Sequence, residues 1–211
     1  MNQSSSDAGG LGYLSERNGL FKLAFWTGIL TLMTLGLYRF WAKTRIRKRI
    51  WSSASADGDN FEYTGTGLEK FLGFLVALIV LAVYLGLIQM LLFFFGLNVF
   101  TEPEDERAVI MQAVAIQLTF VAIIPLLFFA RYRARRYKLA RTRWRGVRFA
   151  MEKGAWGYAF RVIGHSILTA LTLGILLPRQ TFLLEKYMTN RSWFGTAKFQ
   201  QGGKWLSLIH I

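Results

Sequence analysis

A chain of 211 residues that is 53% hydrophobic, only 18% charged and still carries a formal net charge of +14 does not suit an ordinary water-soluble domain. Its Arg and Lys residues gather at the ends of long uncharged apolar stretches, which argues against nucleic-acid binding and for a membrane. There is no cysteine, so a disulfide framework, a thiolate metal site and a cysteine nucleophile are all excluded.

In chain order, residues 1–18 are polar and Ser/Gly-rich, with no basic region leading into a short apolar core. They read as a disordered start and not as a cleaved signal peptide. An apolar segment over about 20–42 follows, uncharged only from 23 to 38, and it runs into a dense basic block, Lys43, Arg45, Arg47, Lys48 and Arg49. Asp57-Gly58 then favours a tight turn, and Phe61 alternating with Tyr63 predicts a half-buried strand.

The next two apolar segments, about 71–99 and 108–130, are free of charge for longer than the roughly 20 residues needed to cross a hydrocarbon core of about 30 Å. Between them lies the acidic stretch Glu102, Glu104, Asp105, Glu106. After them come Arg131, Arg133, Arg135, Arg136 and Lys138, which are candidate contacts for anionic lipid headgroups. By the positive-inside bias the basic loop is cytoplasmic and the acidic loop outside.

Trp144 to Phe149 repeats the pattern of a glycine turn entering a strand, and Trp193 to Phe199 gives a third version. Between these two lies a fourth apolar segment, about 159–178. The first and fourth segments are short for full spans, and both carry one local signature. Thr34-Leu35-Gly36-Leu37 recurs as Thr172-Leu173-Gly174-Ile175, so Thr34, Gly36, Thr172 and Gly174 are candidate helix-break residues. A diverged internal repeat is expected, its unit being an apolar helix, a basic extension, a turn and a strand.

The fold class that follows is an all-α polytopic membrane protein with short cytoplasmic β-strands, which pair into one small sheet through Phe61, Phe149 and Phe199. Within the apolar segments His165 is the one ionisable residue set well inside, and Gln89, Asn98, Gln112 and Gln117 are the notable amides. His165 is read as interfacial, because no Asp or Glu is available at depth to partner it in a proton relay. Pro125 marks a kink in the third segment. No nucleophile elbow, phosphate loop or metal-spaced cluster is present, so neither an enzyme nor a cofactor is expected.

Thr34-Leu35-Gly36-Leu37-Tyr38, Phe40-Trp41-Ala42-Lys43 and the run Phe61 to Gly67 closely resemble the YjgN family of bacterial inner-membrane proteins. Arg133 to Tyr137 and Arg141 to Phe149 resemble it equally, and the likeness extends over about 19–204. The resemblance implies a multi-pass protein of the bacterial inner membrane, a domain of unknown function with no established catalytic residues. It also implies a longer chain, so residues 205–211 are read as the end of a truncated member. The partner expected is the lipid bilayer, with anionic lipids, and not nucleic acid. A transporter or channel-like role is the leading functional expectation, from repetition and glycine-interrupted segments; the alternative is a membrane scaffold or anionic-lipid-binding protein without transport.

Overall fold

The computed structural model describes residues 11–13 and 17–208. In chain order the elements are β1 Leu11–Tyr13, α1 Arg17–Met33, α2 Arg39–Ser53, β2 Ala54–Ala56, β3 Asp59–Tyr63, α3 Gly67–Phe94 and α4 Glu106–Ala140. There follow β4 Thr142–Trp144, β5 Val147–Met151, α5 Ala155–Leu171, α6 Leu177–Thr189, β6 Ser192–Phe194, β7 Ala197–Lys198 and a 3₁₀ turn at Trp205–Leu208. The chain divides into two units. One comprises 1–74, 136–151 and 192–198, and the other 75–135, 152–191 and 199–211.

The first unit holds the sheet. Its seven strands are antiparallel and lie in chain order, β1 to β7. Each of the three glycine turns joins two strands, so the sequence signal marks a hairpin and not a lone strand. Asp57 and Gly58 at φ +48° and +81°, and Arg145 and Gly146 at +49° and +76°, have the left-handed pair of a type I′ turn. This mirror-image turn matches the twist of the strands it connects.

Alternation gives the sheet two unlike faces. Tyr63, Thr142, Met151 and Ser192 form a buried row across β3, β4, β5 and β6. Phe61, Trp144, Phe149 and Phe194 form a parallel row of half-buried rings, with neighbouring centroids 4.8 to 6.3 Å apart. The third aromatic of the sheet is therefore Phe194; Phe199, expected in that place, lies just past β7. The opposite face carries Glu62, Arg143, Arg148 and Lys198.

Within the polar opening expected to be disordered, Leu11–Tyr13 pairs with Ala54–Ala56 as the sheet's first strand; residues 1–10 lie outside the described residues. The segments expected at 20–42 and 159–178 are not continuous helices. Each is divided at its Thr-Leu-Gly motif, into α1 and α2 and into α5 and α6.

By length and composition, α3 and α4 are long and apolar enough to cross a membrane. In the second unit Tyr84 of α3 donates to the Ala122 carbonyl of α4 at 3.0 Å, and the Gln89 amide donates to Thr119 Oγ1 at 2.9 Å. These bonds satisfy polar groups that hydrocarbon would leave unpaired.

Candidate lipid-facing site

The two helix breaks have the same backbone. Leu35 and Gly36 sit at φ +50° and +87°, and Leu173 and Gly174 at +50° and +90°. Left-handed glycine ends a helix at no steric cost, whereas a leucine there costs about 1–2 kcal/mol. The breaks also hydrogen-bond themselves. Gly36 N–H reaches the Thr31 carbonyl at 2.7 Å and Gly174 N–H the Thr169 carbonyl at 2.8 Å, while Leu35 and Leu173 donate to the Leu32 and Ala170 carbonyls. Thr34 Oγ1 donates to the Leu30 carbonyl at 2.8 Å and accepts from Tyr38 N–H at 2.9 Å. The N–H groups from Thr34 to Arg39 all find partners inside the turn, the condition that hydrocarbon imposes on irregular backbone.

The tips are apolar and open. Leu35 is 95% exposed and Leu173 94%, and Leu32, Met33, Leu37, Leu171, Ile175 and Leu177 around them are also exposed. Arg39 and Arg179 follow the tip leucines by only four and six residues, so a charge stands close behind each tip.

The cations of the basic block of α4 differ in exposure. Arg135 NH1 pairs with Glu185 Oε2 of α6 at 2.7 Å, and Arg136 Nε donates to the Met151 carbonyl at 3.0 Å. These two candidate headgroup contacts have partners within the protein. Arg131, Arg133 and Lys138 are exposed, with the Arg133 guanidinium over the Phe129 ring at 5.8 Å. On α2, Lys43, Arg45, Lys48 and Arg49 are exposed, while Arg47 turns inward to donate to the Tyr63 hydroxyl at 3.3 Å.

The first unit contains a polar network that the sequence reading missed. Glu69 accepts from the Tyr137 hydroxyl at 2.9 Å and from Arg141 NH2 at 3.0 Å, tying the start of α3 to the end of α4. Lys70 Nζ donates to Thr44 Oγ1 at 2.8 Å and lies 5.0 Å from the Tyr63 ring centroid. The available signal was Glu69 itself, an acid at the mouth of a long apolar run in a strongly basic chain.

In the second unit Tyr132, Tyr158 and Tyr187 cluster with centroids 5.6 to 6.2 Å apart, and the Tyr132 hydroxyl donates to the Glu152 carbonyl at 2.9 Å. Burial raises the Tyr158 hydroxyl above the usual tyrosine range. Thr169 Oγ1 donates to Gln180 Oε1 at 2.8 Å and Gln180 Nε2 donates to Ser166 Oγ at 2.8 Å, giving α5 and α6 a polar seam. His165 is half-buried beside it in sequence. The Gln112 amide reaches the Val99 and Thr101 carbonyls, closing the connection between α3 and α4. Among the described residues no group of three or more His, Asp or Glu is placed to hold a metal ion.

The architecture is that of a mostly helical protein with two candidate membrane spans and a small antiparallel sheet. The chain belongs to the DUF898 family, described as bacterial protein of unknown function, which matches residues 11–211. It is 27% identical over 159 residues to the inner membrane protein YjgN of Escherichia coli O157:H7, a match that covers 74% of this chain and 34% of that protein. The chain thus spans about a third of that relative's length. No solved structure matches.

Proposed function

We propose that this chain is a scaffold of the bacterial inner membrane, anchored by α3 and α4 and gripping lipid through its two broken hairpins, α1–α2 and α5–α6. The observation that carries this reading is a leucine held in a left-handed backbone at each exposed tip. In water, each tip would combine the backbone strain with an exposed apolar side chain. In lipid, transfer of the side chain contributes about 1.5–3 kcal/mol, enough to offset a strain of about 1–2 kcal/mol. The self-bonded turn and the nearby Arg39 and Arg179 suit a shallow insertion, of the depth at which interfacial helices bury their apolar side.

The hairpins also support the internal repeat. Adding 138 to the bounds of α1, Arg17–Met33, gives those of α5, Ala155–Leu171. The same addition takes β2, Ala54–Ala56, to β6, Ser192–Phe194, and converts the β1–β2 register into the β5–β6 register pair by pair. A spin or fluorescence probe at position 35 or 173, read by depth-dependent quenching in lipid nanodiscs, tests the scaffold reading. Quenching within one leaflet is expected; a probe at the bilayer midplane or in water would overturn it.

A transport reading draws on the repeated broken helices and on the Ser166–Gln180–Thr169 seam. Solute flux into proteoliposomes that Gln180→Leu abolishes would favour it over the scaffold.

A further inference from the structure

The 138-residue offset provides an internal comparison between two helices that occupy the same place in equivalent hairpins. Positions 45, 48 and 49 of α2 correspond to positions 183, 186 and 187 of α6. On α2 these are Arg45, Lys48 and Arg49, all exposed; on α6 they are Leu183, Lys186 and Tyr187, all half-buried. Spacings of three and four residues put the three α2 cations on one side of the helix, where like charges repel. No acidic residue occurs anywhere in α2 to neutralise them. Among the described residues, the basic residues with acidic partners lie elsewhere: Arg135 with Glu185, Arg141 with Glu69, Arg145 with Asp59 and Arg191 with Glu152. Among the described residues, the α2 side therefore presents an accessible cluster with no acidic partner, which an anion would stabilise.

Its position indicates which anion. Arg45 lies about 9 Å of helix rise past Arg39, the first residue of α2, and a tip inserted to the shallow depth argued above sets that level in the headgroup layer. Helical side chains lean toward the helix N-terminus, which for α2 is the membrane-proximal end. Arg45 follows that direction, with its guanidinium over the Tyr38 ring at 5.6 Å. We propose that Arg45, Lys48 and Arg49 form a binding surface for the phosphate of anionic phospholipid headgroups, and that the equivalent side of α6 does not. This rests on the scaffold reading, which supplies the depth of the tip.

The test is native mass spectrometry of the purified full chain, titrated in nonionic detergent with phosphatidylglycerol or phosphatidylcholine. The wild-type chain is expected to prefer phosphatidylglycerol. The triple variant Arg45→Gln, Lys48→Gln, Arg49→Gln is expected to lose that preference by a factor on the order of 100, from about fivefold for each basic residue. Lys186→Gln, at the equivalent α6 position, is expected to keep it. A triple variant with native circular dichroism and undiminished preference would overturn the α2 site. So would transfer of the loss to Arg131→Gln with Arg133→Gln, or equal competition by soluble glycerol phosphate, which would make the ligand a free anion. If the triple variant does not fold, Lys48→Gln alone is expected to lose about fivefold, and no change overturns the site. The scaffold reading fails separately, through the depth of the probe at position 35, whatever the lipid preference.

Discussion

At the residue scale, the two left-handed leucines invert a familiar preference. In an ordinary helix alanine is favoured over glycine, but at φ +50° alanine keeps the strain and loses most of the apolar side chain, whereas glycine removes both. Leu35→Ala should therefore be less stable than Leu35→Gly in nanodiscs, by about 1 kcal/mol. Thermal unfolding of the two variants checks the order, and alanine above glycine would mean that position 35 is not left-handed in the membrane.

Two polar contacts of the second unit should differ in weight for a related reason. The Tyr132 hydroxyl is fully buried on the Glu152 carbonyl, and Tyr132→Phe should cost about 1 kcal/mol. The Arg135–Glu185 pair is partly open to solvent, and Arg135→Ala should cost no more than about 1 kcal/mol. Tyr158 adds a pH dependence. Its folded pKa is raised by burial, so its contribution is complete below the unfolded tyrosine value of about 10 and is lost as the pH climbs above it. Melting temperature measured between pH 9 and 11 should fall, and should fall less steeply in Tyr158→Phe.

At the scale of elements, what was legible depended on whether the signal was local. The candidate spans α3 and α4 announce themselves by uninterrupted apolar length, and the helix breaks by a motif that occurs twice. The turns were visible at Asp57-Gly58 and Gly146. The strands entering them were not, because β2 and β4 follow directly on helices with basic blocks and contain few β-branched residues. Strand β1 was missed for a stronger reason: Leu11–Tyr13 has no strand pattern of its own and is defined by pairing with Ala54–Ala56, some forty residues away in sequence. Arg135 and Arg136 looked available for lipid because their partners, Glu185 and the Met151 carbonyl, cannot be inferred from neighbouring residues. The hairpin turns make their own prediction. Gly146→Ala, at φ +76°, should cost about 1 kcal/mol or more and shift the sheet's amide signals in circular dichroism.

At the scale of the whole molecule, the testable quantity is topology. With α3 and α4 crossing out and back, a cysteine at position 104 should react with an impermeant thiol reagent in intact spheroplasts, and one at position 57 or 196 should not. Chain continuity from β5 into α5 and from α6 into β6 extends the expectation to the far end: a reporter fused after Gly203 should fluoresce as in the cytoplasm. High periplasmic phosphatase activity at the same fusion point would mean that the fourth apolar segment crosses completely.

The register of β3 with β4 has a consequence for biogenesis. Phe61 pairs with Trp144, and both long helices lie between them in the chain. The middle of the sheet cannot close until both helices have been made, and, with α3 and α4 crossing out and back as proposed, until α4 has brought the chain back. A nascent chain whose second helix stalls keeps β3 as an open strand edge, the kind of surface that attracts foreign strands and proteases. If α3 and α4 cross as proposed, only chains that have completed that round trip can hide this edge, and closure of the sheet would then report correct insertion.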